Sequence, residues 1–235
     1  MHVNRYSRDF ELSGNKDDVT LLAASIQFDA WLARMDARFC IHSIHVQAVD
    51  TRFDGGLLFA KLVAEVTDEN GDRVPGAVFL RGDVVGVLIV LTAKEQEWVV
   101  LITQPRFPSG QFESVEIPAG MMDDRGDFCG TAAREIREET GLEFQVEELE
   151  YLGDFFPSCG GSDEKLRLYV CRREMPEAEI QALQGKLTGV AHEHERIQLK
   201  LVPLSKLPEH TSDPKALIAY GWYCGWGNSC DAALG

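Results

Sequence analysis

The stretch Gly120–Leu142, GMMDDRGDFCGTAAREIREETGL, constrains this 235-residue chain more than any other segment. Cys129, Ala132, Ala133 and Ile136 recur at helical spacing, so one side of a helix faces a core. Asp127 is placed to cap its start, and Gly141 suits the left-handed position just past its end. Glu135, Glu138 and Glu139 stand at i, i+3 and i+4 and share one face, where like charges repel. Divalent cations would offset that repulsion, and hard cations such as Mg²⁺ bind through a few carboxylates plus substrate phosphates. The plainer alternative is a solvated acidic face with salt bridges to Arg134 and Arg137.

The rest of the chain supplies a frame. Residues 1–20 are polar and read as loosely ordered. Apolar spacing predicts a short amphipathic helix around 27–37, followed by strands over Arg38–Val49 and Leu57–Val66. In the first strand, Phe39 and Ile41 alternate in one phase and Ile44, Val46 and Ala48 in the other, which marks a bulge. Residues 1–77 thus form an N-terminal subdomain of a helix plus antiparallel strands, and 78–235 a second domain. There, Val84–Leu91 and Trp98–Thr103 are nearly continuous apolar runs, the pattern of strands buried on both faces, with Glu95–Glu97 as the turn. Gln104–Phe107 leaves the sheet. Residues 144–156 and 165–172 pair around a Ser158–Glu164 loop, Glu177–Leu183 is a short helix and Ile197–Val202 a strand. Asp213-Pro214 opens a final helix with Leu217, Ile218, Trp222 and, at its end, Trp226 facing inward. Mixed strands flanked by helices give an α/β/α sandwich.

A formal net charge of −15 argues against binding a nucleic-acid backbone, and it requires local positive charge or metals wherever an anion binds. The sequence has no apolar run of a length that spans a membrane. The polar, acid-bearing start disfavours a signal or transit peptide, and the end shows no retention signal. Six scattered cysteines without CxxC spacing fit reduced thiols, so a cytoplasmic protein is expected.

The opening stretch resembles the Nudix box, G-x5-E-x7-R-E-U-x-E-E-x-G-U with U apolar. Gly120, Arg134, Glu135, Ile136, Glu138, Glu139, Gly141 and Leu142 match at the right spacing, and Gly126 stands where the pattern has its first glutamate. Further segments are similar to the Nudix branch that splits ADP-ribose and ADP-sugars, most of all its plant-type members. These are Phe79-Leu80-Arg81-Gly82, Gln104-Pro105-Arg106, the E-x-x-A-G approach from Glu116, the S-x-G-G-S-x-E loop ending at Glu164, and Glu193 with Glu195 in the HEHE run.

The resemblance implies a Nudix α/β/α sandwich with a mixed sheet, plus a small N-terminal α+β subdomain through which a homodimer forms. It implies metal ligation by the Ala119 carbonyl, Glu135, Glu138, Glu139 and Glu195, with Glu193 as general base and Glu139 and Glu135 catalytic through the metal. It implies substrate contacts from Arg81, Arg106, Glu116, Gly161 and Glu164. The expected cofactor is Mg²⁺, with Mn²⁺ as substitute. The expected reaction is hydrolysis of a nucleoside diphosphate sugar (ADP-ribose, ADP-glucose or UDP-glucose type) to a nucleoside monophosphate and a sugar 1-phosphate. Trp31 and Phe107 are the aromatic candidates for stacking on the base. The alternatives are another nucleoside diphosphate derivative as substrate, or a nucleotide-sugar-binding sensor with residual Nudix architecture.

Overall fold

The structure, a computed structural model, describes residues 1–122, 127–189 and 196–225. Gly126, Glu193, Glu195 and Trp226 lie outside the described residues. The chain divides into two compact units: Met1–Asp83 with Phe156–Lys165, and Val84–Phe155 with the chain from Leu166 onward. The sequence reading placed a single boundary at 77/78. The contacts place crossings at 83/84, 155/156 and 165/166.

The first unit begins with β1 (His2–Arg5) and β2 (Arg8–Ser13), followed by α1 (Lys16–Ala24) and α2 (Ile26–Ala33). The start is therefore ordered, contrary to the expectation for residues 1–20. Val3, Phe10 and Leu12 alternate with polar neighbours and are buried against Leu22, Phe28 and Leu32 of the two helices. Asn15 caps α1 by accepting the Asp17 N–H at 2.9 Å, and Ser25 caps α2 by accepting the Phe28 N–H at 3.2 Å. β3 (Cys40–Thr51) pairs antiparallel with β4 (Leu57–Thr67), and the register slips between Ile41 and Ser43 and again between Val46 and Ala48. The bulge read from the change of phase is present, and it turns Ile41, Ile44 and Val46 to the same buried side. β5 (Arg73–Val74) and β6 (Ala77–Leu80) both pair with β4, while β2 joins β3 in parallel.

In the second unit, β7 (Val84–Ala93), β8 (Gln96–Arg106), β9 (Gln111–Glu116) and β10 (Ala119–Met121) lead to α3 (Phe128–Thr140). Then follow β11 (Glu150–Phe155), β12 (Leu166–Glu174), α4 (Glu177–Gln181), β13 (Leu187–Thr188), β14 (Ile197–Pro203), α5 (Leu207–His210) and α6 (Pro214–Tyr223). Among the described residues the sheet runs β11-β12-β7-β8-β14-β13, with β10 on β7 and β9 on β8. β12 pairs with β7 in parallel and the other pairings are antiparallel, so the sheet is mixed. Val87, Ile89, Val100 and Ile102 pack toward Ala132 and Ile136 of α3 and Ile180 of α4. Leu88, Val90, Val99 and Leu101 pack toward Leu207 of α5 and Ala216 and Ala219 of α6. This is the two-sided burial that the continuous apolar runs imply, and it makes the unit an α/β/α sandwich.

Three local expectations change. The β7–β8 turn is Lys94–Glu95, both with positive φ (46° and 68°), one residue shorter than the Glu95–Glu97 turn expected, and the strands pair up to it with Ala93 opposite Gln96. Gln104–Arg106 stays in β8, with the register slipping around Pro105, because β9 folds back and pairs with it. In α6 the buried residues are the small Ala216, Ala219 and Gly221, while Leu217, Ile218 and Trp222 are half-buried against the same core.

The burial of the N-terminal strands gives a direct test. Phe10, 2% exposed, fills the core of the first unit, so Phe10→Ala is expected to lower stability by about 3–5 kcal/mol. Urea unfolding followed by circular dichroism checks this, and an unchanged midpoint would return residues 1–20 to the loosely ordered state.

Candidate functional site

The acidic helix of the second unit lies against the backbone that precedes it. Gly120 sits in β10, and a Cβ added there would come within 2.0 Å of the Glu135 Cδ. Glycine at this position is thus a condition for the Glu135 carboxylate to lie where it does. One residue earlier, the Ala119 N–H donates to Glu139 Oε2 at 2.9 Å, and Glu139 is 4% exposed. Arg134 pairs with Glu135 at 3.1 Å and with Glu138 at 3.3 Å. Asp127 stands at the N-cap position just before α3, but its side chain makes no capping bond; Gly141 closes the helix at φ 72°, with its N–H on the Arg137 carbonyl at 2.9 Å. Thr188 Oγ1 donates to the Glu139 carbonyl at 2.5 Å and the Gly189 N–H to the Glu138 carbonyl at 3.3 Å. The chain immediately before residue 190 is therefore tied to the end of the acidic helix.

All-oxygen donors of this charge fit a hard divalent cation in type. Among the described residues, no three His, Cys, Asp or Glu side chains are already gathered as a metal-binding group. Arg134 serves as counter-ion to two of the three box carboxylates.

A second cluster in the same unit holds Arg106 and Glu116. Arg106 meets Glu116 through two bonds, Nε to Oε1 at 2.8 Å and Nη2 to Oε2 at 3.0 Å. Lys215 Nζ approaches the same Oε2 at 3.3 Å and Asp213 Oδ1 at 2.9 Å. Burial alone pushes the Glu116 carboxyl up, but the Arg106 bonds, Lys215 and the Ser114 hydroxyl outweigh it and hold it at about 2.

In the first unit, Arg81 Nε lies 3.3 Å from Glu164 Oε1, and its guanidinium covers the Phe59 ring at 5.7 Å. Gly161 is placed by its backbone: its carbonyl accepts the Phe79 N–H at 2.8 Å, which attaches the Ser158–Glu164 loop to the edge of β6. Asp163 accepts the N–H groups of Arg81 at 2.6 Å and Gly82 at 3.2 Å and pairs with Arg34 at 3.0 Å. Burial pushes its carboxyl above the usual range despite those partners. Arg34 also binds Asp83 at 2.5 Å. A cavity of about 460 Å³ in this unit is lined by Trp31, Phe39, Val78, Phe156 and Cys159, among others. Trp31 thus faces a cavity, whereas Phe107, in the second unit, is 96% exposed.

The structure brings Glu135 and Glu139 to the backbone at Ala119–Gly120, joins Arg106 to Glu116 and joins Arg81 to Glu164. Sequence reasoning missed Arg34, Asp83, Asp163 and Lys215, and it gave Asp213 only a capping role. Asp163 stood inside a recognised loop, and Asp213 and Lys215 at a recognised helix start, so position was the available signal. Arg34 and Asp83 carried none.

The NUDIX domain family matches residues 81–221 of the chain. Nudix hydrolase 14, chloroplastic, from Arabidopsis thaliana is 38% identical over 199 residues, covering 80% of this chain and 64% of that protein. ADP-ribose pyrophosphatase from Mycobacterium tuberculosis is 31% identical over 122 residues, covering 49% of this chain and 58% of that protein. The chain spans less than two thirds of the length of each of these relatives. The crystal structure of an ADP compounds hydrolase superposes with a TM-score of 0.57 at 18% identity, over 82% of this chain and 96% of that one. At that identity the likeness speaks for the fold.

The Glu116 cluster makes stability depend on acid in a defined window. Its carboxyl falls from an ordinary 4.5 to about 2 on folding, so the ion pairs stabilise fully above about pH 4.5 and fade as the pH drops toward 2. Glu116→Gln is expected to cost about 1–3 kcal/mol at pH 7, with the gap to wild type closing toward pH 2. Denaturant unfolding at several pH values measures both, and a gap independent of pH would contradict the pairing.

Proposed function

The chain belongs to the NUDIX domain family, and from that premise we propose that it is a divalent-metal-dependent diphosphatase of nucleoside diphosphate sugars. The observation that carries this reading is the acidic face of α3, with Glu139 buried on the Ala119 N–H and Glu135 laid on Gly120. One of the relatives similar in sequence is named an ADP-ribose pyrophosphatase, which supports an ADP-linked sugar as substrate.

In this reading Glu135, Glu138, Glu139, the Ala119 carbonyl and Glu195 would hold Mg²⁺ or Mn²⁺. The metal, when bound, supplies charge neutralisation at the diphosphate and lowers the pKa of the attacking water. The chain's residues do the rest. Glu193 takes the proton of the attacking water as general base. Arg106 presents a guanidinium whose plane is fixed by Glu116 and whose charge does not depend on pH near neutrality. Arg81, in the matching Phe79–Gly82 segment, and Gly161 and Glu164, in the matching loop, are assigned to substrate binding on the strength of the resemblance. Water adds to one phosphorus, the bridging P–O bond breaks, and a nucleoside monophosphate and a sugar phosphate leave.

A homodimer and a cytosolic setting belong to the same proposal. The latter rests on the free thiols of Cys40, Cys129, Cys159, Cys171 and Cys224. The contact of Arg134 with both Glu135 and Glu138 favours one rival, a nucleotide-sugar sensor in which the carboxylates stay ion-paired.

Release of AMP from ADP-ribose and ADP-glucose with and without Mg²⁺ separates the two readings. The enzyme reading expects metal-dependent turnover that Glu139→Gln lowers on the order of a thousandfold. If no nucleoside diphosphate sugar is split while the same compounds raise the melting temperature, the sensor reading stands.

A further inference from the structure

The second unit contains a line of alternating charge that runs from the interior to Arg106. Its inner end is Asp213, whose side chain is 3% exposed. Asp213 Oδ2 accepts the Ile117 N–H at 3.2 Å, just beyond β9, and Oδ1 accepts the Lys215 N–H at 3.0 Å, which caps α6. Thr211 strengthens the joint: its hydroxyl donates to the Val115 carbonyl at 2.5 Å and accepts the Asp213 N–H at 2.9 Å. Lys215 is 16% exposed and Glu116 6%, while Arg106 at the outer end is 42% exposed.

We propose that Lys215, held by Asp213, is a positioning residue for Arg106, acting through Glu116. This rests on the diphosphatase reading, in which Arg106 binds the diphosphate. Arginine has a long side chain with many rotamers, so its two bonds to Glu116 fix it only as well as Glu116 is fixed. Glu116 ends an edge strand, and Lys215 ties its Oε2 to the capped start of α6. The groups facing Glu116 are Arg106 from β8, Ser114 from its own strand and Lys215 from α6, with Asp213 behind Lys215. Removal of Lys215 takes one of the two cations from a buried carboxylate, which then accepts a proton at a higher pH and loosens its hold on Arg106.

The test is steady-state hydrolysis of ADP-ribose with Mg²⁺ between pH 5 and 9 by wild type, Lys215→Met and Lys215→Arg. Lys215→Met is expected to lower kcat/KM about tenfold, mainly through KM, with the loss growing toward pH 5. Lys215→Arg restores most of it. In an Arg106→Ala background, Lys215→Met adds no further loss if it acts through the arginine. An unchanged pH profile, or losses that add in the double variant, overturns the proposal.

A second readout is independent of turnover: exchange of the Arg106 Nε–H with solvent, followed by NMR. It speeds up in Lys215→Met, and in Asp213→Asn should the first variant not fold. An unchanged exchange rate also overturns the proposal. Wild type that splits no nucleoside diphosphate sugar defeats the diphosphatase reading instead and leaves the exchange measurement to decide the positioning.

Discussion

The candidate site depends on how closely a helix approaches the strand before it. Glu135 has room because residue 120 has no side chain, and Glu139 goes under because the Ala119 N–H donates to its carboxylate. A buried, ionised carboxylate without such a partner would cost several kcal/mol. The apolar side of the same helix, with Ala132 and Ile136 fully buried on β7 and β8, sets the distance at which the acidic side meets the backbone. Packing on one face of α3 thus fixes the chemistry of the other. At the helix end, Thr188 and Gly189 take up carbonyls that a terminating helix leaves without intrahelical partners. The residues that follow, including Glu193 and Glu195, carry the proposed base and last metal ligand.

Charge in this acidic chain is arranged in alternation. Arg134 lies between Glu135 and Glu138, Arg106 and Lys215 flank Glu116, and Arg34 joins Asp83 to Asp163. Each cluster includes a carboxylate that is largely buried, where a missing cation costs more than its presence gains. For a net charge of −15 this has a functional side. In the proposed reading, an anionic substrate would meet the positive charge of arginines that these carboxylates hold in place.

Much of the fold was legible because its signals are local. The continuous apolar runs of β7 and β8 required a two-sided sandwich, the phase change in β3 required a bulge, and Gly141 and Asp213 marked helix ends that the structure keeps. The N-terminal strands were misread because their short alternation, Val3 and then Phe10 and Leu12, is diluted by charged neighbours. What stayed hidden is long-range. Arg34 reaches Asp163 across 129 positions and Asp213 reaches Ile117 across 96, and no periodicity encodes such a pairing. The motif spacing pointed to Glu135 and Glu139 but not to the reason that Gly120 precedes them. That reason is a steric one, visible only once strand and helix are side by side.

In the proposed reading, the absence of a side chain at position 120 sets where α3 presents its metal-binding carboxylates. Calorimetric titration of Mn²⁺ into wild type and Gly120→Ala tests it most directly, with the melting temperature as control. The displaced group is the flexible end of Glu135, so the variant is expected to keep its fold and a melting temperature near that of wild type, while Mn²⁺ affinity falls about tenfold or more. Equal Mn²⁺ affinity in the two proteins would contradict the account.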